Sequence, residues 1–276
     1  MNDADSIYYR QLQKDAETFA NQAMAILVSM QGHQKTAVKK DDMDESTDAD
    51  IEAEKIIINN IRKKYPTHSI YSEEAGETKG TEPYRWVIDP LDQTKEYIRG
   101  VSEYNCLIAV EYESSVVAGV SLLHGVNILY TGSKGNGASY NGKPLRVSPQ
   151  QDIRNSFIGF NLPNRNTKKE ERDTDMNLLS TLIDTTYRVR PFWDQTKAMG
   201  WVGRGILDAN IAPPHLFKWH DIASSIILVQ EAGGVVTDWL GNAVTEKTSG
   251  YGILASNGIL HEQLLEIIKK SKEGTL

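Results

Sequence analysis

The residues best suited to chemistry lie in one short stretch, Trp86-Val87-Ile88-Asp89-Pro90-Leu91-Asp92-Gln93-Thr94. An apolar run leads straight into two carboxylates separated by proline and leucine. Proline fixes its own φ and drives the residue before it toward extended geometry, so the sequence predicts a strand that ends at Asp89 and a sharp turn there. Such a turn can aim Asp89, Asp92 and the Leu91 carbonyl at one point, a set of hard oxygen donors suited to magnesium. Gln93-Thr94-Lys95-Glu96-Tyr97-Ile98 then reads as a helix start, whose amides can hold an anion such as phosphate. Metal-holding carboxylates beside phosphate-holding amides are the parts of a phosphoryl-transfer site. A capped strand–turn–helix would use the same residues, so other acids must decide. Glu73-Glu74 lies just upstream, and Asp221 opens an apolar helix that ends in Glu231-Ala232-Gly233-Gly234. An acid at a helix N-terminus is ordinarily a cap. Its coincidence with the other acids gives it a second reading.

The elements that must position these residues follow from periodicity. A helix is expected over about Ser6–Met30, with Leu12, Phe19, Ala23, Ile26 and Leu27 at helical spacing and Gly32 as its stop. His33–Ser46 is polar and should be a loop or hairpin. Thr47 then starts a second helix, with Asp50 three positions on in a near capping box. Ile51, Ile57, Ile58 and Ile61 are its expected buried stripe. Strands follow at Ser69–Ser72, Trp86–Asp89, Cys106–Tyr112, Val116–Leu123 and Asn127–Thr131, the last three as an antiparallel meander. Gly135-Asn136-Gly137 reads as turn chemistry. The second half restarts near Asp152 and alternates strands (Ser156–Asn161, Tyr187–Arg190, Ile206–Ile211, Val235–Asp238, Ile253–Ser256) with helices (Asp173–Ile183, Gln195–Gly203, Asp221–Ala232, Ile259–Lys270). The expected organisation is an α+β domain over 1–150 and an α/β domain over 151–276, together a mixed sandwich of sheets and helix layers.

Composition narrows the classes. The chain has 276 residues, 39% hydrophobic and 24% charged, long enough for one large domain or two ordinary ones. No apolar run approaches the roughly 18–20 residues that span a bilayer, and no basic segment followed by an apolar one suggests secretion. A single cysteine, Cys106, excludes an internal disulfide framework and a cysteine-built zinc site. Its apolar surroundings mark it as a core residue, and a reducing cytoplasm is the expected compartment. The net charge of −7 argues against coating nucleic acid.

Taken together, these motifs resemble the inositol monophosphatase superfamily of metal-dependent, lithium-sensitive phosphatases. Its first signature is an acidic pair and then a strand ending in Asp-Pro-(Ile/Leu)-Asp-Gly-Thr, matched by Ser72-Glu73-Glu74 and Asp89-Pro90-Leu91-Asp92-Gln93-Thr94. Its second is Trp-Asp-x-Ala-(Ala/Gly) followed by Glu-Ala-Gly-Gly, matched by His220-Asp221-Ile222-Ala223-Ser224 and Glu231-Ala232-Gly233-Gly234. Lys39 and Thr47-Asp48-Ala49-Asp50 match a third feature ahead of a helix. The resemblance spans about Ala20 to Ile268. It implies a layered αβαβα sandwich and a homodimer. It also implies two or three Mg²⁺ ions held by Glu73, Asp89, Asp92, the Leu91 carbonyl and Asp221. Glu73 and Thr94 would position a water, and Asp50 would accept from Thr94 and help take the proton. Gln93 and Thr94 amides would cradle phosphate, with Asp92 and Asp221 also facing substrate. Lys39 would lie near the site, and Asp44 would help a third, weaker metal.

Three departures mark the substrate side. Gln93 stands where the pattern has glycine. Arg190-Pro191-Phe192-Trp193-Asp194-Gln195 replaces a small-residue wall, so that Trp193 could stack on a base or sugar face and Asp194 could accept from hydroxyls or an amine, ordinary core packing being the other reading of Trp193. Ala212-Pro213-Pro214-His215 lacks the acid of inositol-specific members. The expected activity is therefore hydrolysis of a small phosphorylated metabolite, an inositol-phosphate-like cyclitol or a sugar phosphate. A 3′(2′),5′-bisphosphate nucleotidase is an alternative, favoured by Lys95-Glu96-Tyr97. A fructose-1,6-bisphosphatase-like enzyme is another, with Arg165, Lys168, Lys169, Arg188 and Arg190 as candidate cations. A non-catalytic binding protein on the same fold is the last. Neither a nucleic-acid polymer nor a membrane is an expected partner.

Overall fold

The computed structural model describes residues 3–32, 37–39 and 45–273, with 37–39 and 273 as backbone only. The Lys39 side chain and Asp44, both singled out above, lie outside the described residues. The chain divides into two compact units, Met1–Lys143 with Ala223–Ile227, and Pro144–Ile222 with Leu228–Leu276. Among the described residues, no helix is long and apolar enough to cross a membrane.

The first unit contains α1 (Asp3–Met30), β1 (Ala37–Lys39), β2 (Glu45–Thr47), α2 (Asp48–Lys64), β3 (Ser69–Ser72), β4 (Gly76–Thr78), β5 (Tyr84–Asp92), α3 (Thr94–Ile98), β6 (Asn105–Tyr112), β7 (Ser115–Leu123), β8 (Ile128–Ser133), β9 (Ala138–Tyr140) and β10 (Lys143–Pro144). Strands β10-β9-β8-β7-β6-β5-β3-β4 form one sheet, and β1 pairs with β2 apart from it. The expected meander is β6-β7-β8, antiparallel throughout. Helices α1 and α2 bury Leu12, Ala16, Phe19, Ala23, Leu27, Ala53, Ile57 and Ile61 in a core shared with Trp86, Ile88, Cys106 and Ile108. Burial, and then the nearby Asp89 charge, push the Cys106 thiol upward, in keeping with an inert core residue.

Two sequence expectations change here. Ile51 is exposed, because the buried face of α2 is Ala49/Asp50, Ala53/Glu54, Ile57/Ile58 and Ile61. At 3.6 residues per turn that stripe takes in Asp50 and Glu54 and leaves Ile51 outside. Nor does the strand end at Asp89. It continues through Pro90 to Asp92 with a register shift: Asp89 pairs with Leu107 but Asp92 pairs with Asn105. Three steps on β5 thus oppose two on β6, which is a β-bulge. A bulge tolerates a proline that has no N–H to give to the ladder.

The middle of one further helix, α6 (Trp219–Glu231), groups with this unit. Gly119 on β7 makes room for it: a Cβ there would come 2.3 Å from the Ser224 carbonyl oxygen. Ser121 and Ser224 hydroxyls meet at 2.9 Å beside it.

The second unit contains β11 (Phe157–Asn161), α4 (Lys169–Thr185), β12 (Arg188–Phe192), α5 (Gln195–Gly203), β13 (Ala209–Ala212), the ends of α6, β14 (Val235–Thr237), β15 (Ile253–Ser256) and α7 (His261–Glu273). Its sheet runs β12-β11-β13-β15-β14, parallel across the first three strands and antiparallel at β15. Ile158, Phe160, Leu178, Leu182, Ile211, Leu254, Leu264 and Ile268 form its core. Helix α4 begins at Lys169, four residues before the apolar pattern does. Its first turns are polar and are joined by ion pairs such as Lys169–Asp173 at 2.5 Å, an i,i+4 pair. Among the described residues, seven α-helices and two large sheets make this a mixed α/β chain, as the sequence implied.

Candidate metal and phosphate site

The bulge on β5 controls the site. It releases Asp89-Pro90-Leu91-Asp92 from strict alternation, so neighbouring residues need not face opposite sides of the sheet. Asp89 is 2% exposed, and its Oδ1 accepts the Leu91 N–H at 3.1 Å. Asp92 Oδ2 accepts from Asn105 Nδ2 at 2.7 Å, across the strand pair that the shifted register creates. Glu73 leaves β3 directly beside this point. Its N–H donates to the Ile88 carbonyl at 3.2 Å, and Glu73 and Asp89 each offer a carboxylate oxygen within 4.8 Å of the other. Glu73 and Asp89 both supply carboxylate oxygens, which suits a hard divalent cation.

Gln93 follows at φ 73° and ψ 41°, in the left-handed region. That explains why the resembling pattern has glycine at this position: glycine adopts positive φ freely, whereas a side chain costs about 1 kcal/mol or more. The turn foreseen at Asp89-Pro90 is therefore made at Gln93 instead. Helix α3 that follows has only five residues, so its anion-holding capacity rests on local amides rather than on a long helix dipole.

Thr94 joins this turn to α2. Its Oγ1 lies 2.9 Å from the Leu91 carbonyl oxygen and 3.3 Å from Asp50 Oδ1. Asp50 sits at the third position of α2 and is fully buried. Its Oδ2 accepts from Thr47 N at 2.8 Å and Thr47 Oγ1 at 2.6 Å, completing the capping box foreseen from sequence. Burial raises the Asp50 carboxyl to about 6; the Thr47 hydrogen bonds oppose this and the charges of Glu74 and Glu73 add to it. The cap therefore uses one oxygen and leaves the other to Thr94.

One residue that sequence reasoning missed holds the acidic turn in place. Glu54 is 5% exposed, and its Oε1 accepts from Glu74 N and Ala75 N, each at 3.1 Å, and from the Ser72 hydroxyl. The available signal was its spacing: Glu54 is four residues after Asp50, on the same buried face. Asn105, buried opposite Asp92, was missed for lack of any local pattern.

The remaining candidates belong to the second unit. Asp221 stands at the third position of α6, where its Oδ2 accepts the Lys218 N–H at 2.7 Å and His220 Nε2 lies 3.3 Å from its Oδ1. Asp194 is 4% exposed and caps α5 by accepting Lys197 N at 2.8 Å. Trp193 is 60% exposed, which excludes core packing for it, and Lys197 Nζ lies 5.6 Å from its ring centroid. With Phe157, Phe192, Trp201 and Arg190 it lines a cavity of about 420 Å³. A buried amide network supports this wall from beneath: Asn210 Nδ2 donates to Asn161 Oδ1 and Gln195 Oε1, each at 3.0 Å.

Comparison with known proteins follows the same lines. Residues 7–273 match the inositol monophosphatase family. Nus factor SuhB of Pseudomonas aeruginosa is 35% identical over 207 residues, 74% of this chain and 76% of that protein. Inositol monophosphatase 1 of Sus scrofa is 31% identical over 259 residues, 92% of each chain. Among solved structures, extragenic suppressor protein SuhB of Bartonella henselae aligns with a TM-score of 0.85 at 27% identity, covering 94% of this chain and 99% of that one.

Proposed function

The chain belongs to the inositol monophosphatase family, and on that premise we propose that it is a magnesium-dependent phosphomonoesterase acting on a small phosphorylated metabolite. The substrate class is an inositol-phosphate-like cyclitol or a sugar phosphate, with a 3′(2′),5′-bisphosphate nucleotide as the alternative. The observation that carries this reading is the bulge on β5, which begins at Asp89, whose carboxylate offers an oxygen within 4.8 Å of one on Glu73. Glu73, Asp89, Asp92 and the Leu91 carbonyl would hold the metal, and Asp221 keeps the ligand role that the resemblance implies. Such a metal, when bound, neutralises phosphate charge and acidifies a water.

The protein's own groups then orient the attack. The Thr94 hydroxyl has one proton and two acceptors nearby, the Leu91 carbonyl and Asp50 Oδ1. With that proton directed to Asp50, a Thr94 lone pair accepts from the water, and Glu73 accepts its other proton. Amides of Gln93 and Thr94 bind phosphate oxygens. Trp193 offers a face to the alcohol portion, and Asp194 shapes that wall by capping α5. Lys39 remains proposed as a residue near substrate, and a homodimer as the working assembly.

The test is a phosphate-release screen with Mg²⁺ over inositol phosphates, sugar phosphates and bisphosphate nucleotides. Release is expected to stop in excess chelator and in Asp89→Asn, and to fall at millimolar lithium. Undiminished release from the chelated enzyme or from Asp89→Asn would overturn the metal role. Among the cations raised for a second phosphate, Lys168 and Lys169 pair with Glu171 and Asp173, while Arg188 and Arg190 lie over Tyr187 and Phe157. These engagements weigh against the bisphosphatase reading. A binding protein without turnover is a second reading, favoured by the strained Gln93 and by relatives that bear the name Nus factor. Metal-dependent release from any substrate in the screen removes it.

A further inference from the structure

A cavity of about 310 Å³ lies wholly within the second unit, between α4, α7 and the turns carrying His215, Leu240 and Tyr251. Its walls are built with close tolerances. A Cβ on Gly252 would fall 2.8 Å from the Trp239 indole, and one on Gly250 would fall 3.3 Å from the His215 ring. His215 itself adopts φ 61°, an uncommon conformation for a side-chain-bearing residue.

Two polar atoms buried in the walls of this cavity are unmatched among the described residues. Asp175, on α4, is 3% exposed, yet among the described residues its Oδ2 has no hydrogen-bond partner and its carboxylate forms no ion pair. The Trp239 indole N–H is likewise buried without an acceptor among the described residues. Lys272, on α7, places its ammonium 4.8 Å from the Trp239 ring centroid. Burial, with the Glu171 charge, raises Asp175 to about 6 although Lys272 pulls the other way; burial also lowers Lys272 against the pull of Asp175 and Asp238. A buried polar group normally has a partner, and an uncompensated one carries a desolvation cost. One wall thus offers the Asp175 carboxylate, with Glu171 beside it also 3.8 Å from Lys168 Nζ, and the other offers donors from Lys272 and Trp239. Leu240 and Tyr251, 69% and 52% exposed, add an apolar rim.

We propose that this cavity binds a small zwitterion, an α-amino acid with an apolar side chain. Its ammonium goes to Asp175 and Glu171, its carboxylate to Lys272 and the Trp239 N–H, and its side chain to Leu240 and Tyr251. A free amine would leave Lys272 and Trp239 unmatched, and a free acid would leave Asp175 unmatched. The site is independent of the phosphatase reading and stands or falls without it.

The experiment is calorimetric titration of the full chain with L-leucine and L-phenylalanine, beside their N-acetyl and methyl-ester forms. Saturable binding of the free amino acids is expected, with each blocked form at least about tenfold weaker, because each loses a charge-assisted hydrogen bond. Asp175→Asn and Lys272→Met should weaken binding by about tenfold or more, and Lys269→Met on the exposed side of α7 should not. Asp175→Asn removes an unpaired buried carboxylate, so its unliganded melting temperature should hold or rise, which keeps the variant usable. No binding at about 10 mM amino acid would overturn the proposal. So would blocked forms that bind as well as the free amino acids, or wild-type affinity in both cavity variants.

Discussion

Thr94 Oγ1 stands 3.3 Å from Asp50 Oδ1 across 44 residues of sequence, and this contact ties the turn after the β5 bulge to the first turn of α2. A carboxylate already used as a helix cap serves a second partner through its other oxygen. The same residue therefore sets where α2 begins and where the Thr94 hydroxyl points.

That relationship makes Thr94 sensitive to loss of its hydroxyl rather than of its methyl. In a phosphate-release assay, Thr94→Ala should lower kcat by about 10²–10⁴-fold, the usual worth of a positioned proton-transfer group. Thr94→Ser should stay within about tenfold. Equal losses in both variants would show that packing, not the hydroxyl, matters there.

Gln93 predicts a backbone effect separable from chemistry. At φ 73°, Gln93→Gly relieves about 1 kcal/mol of strain but loses part of it to the greater freedom of the unfolded chain. Urea unfolding should show stability unchanged or higher by up to about 1 kcal/mol. Gln93→Val, β-branched at positive φ, should lose at least about 1 kcal/mol. If the Gln93 amide contacts substrate, the glycine variant will change KM more than kcat.

Glu54 is expected to act through Glu73. Glu54→Ala strands the Ser72 hydroxyl and the amides of Glu74 and Ala75, so it should cost about 2–4 kcal/mol in denaturant unfolding. Metal affinity, measured by titration calorimetry, should weaken because the turn that carries Glu73 loosens. Glu54→Gln keeps an acceptor oxygen and should recover most of both losses. Unaltered metal affinity in a folded Glu54→Ala protein would limit Glu54 to a structural role.

Asp15 gives a pH dependence of stability. Burial alone would raise its carboxyl, but hydrogen bonds from Lys64 at 2.6 Å, Tyr65 at 2.5 Å and Gln11 at 3.1 Å, with the Lys64 charge, hold it below 3.8. The folded pKa lies under the unfolded one. The stabilisation is therefore complete above the unfolded value and is lost as pH falls through the folded value. Asp15→Asn should cost about 1.5–3 kcal/mol at pH 7, and the gap to wild type should close as pH drops below about 4. A gap that does not narrow as pH falls would exclude this linkage.

Much of the fold is legible along the chain because periodicity states which face is buried and glycine, proline and caps state where elements stop. Helix α5 at Gln195–Gly203 and strand β15 at Ile253–Ser256 fall where the pattern puts them, and the Thr47–Asp50 capping box is readable from four residues. The donor types of the site are equally local, since Asp89, Leu91 and Asp92 lie within four positions. What the tertiary structure alone decides is how those residues are presented. The bulge depends on the register of β6, which lies beyond the motif. The left-handed turn at Gln93 comes directly after that bulge, and no side-chain property of glutamine announces it. Glu54 and Asn105 become partners of the acidic turn and of Asp92 only when α2 and β6 pack beside β5. Composition and spacing determine which atoms are available, whereas hydrogen bonds between distant segments determine where those atoms point.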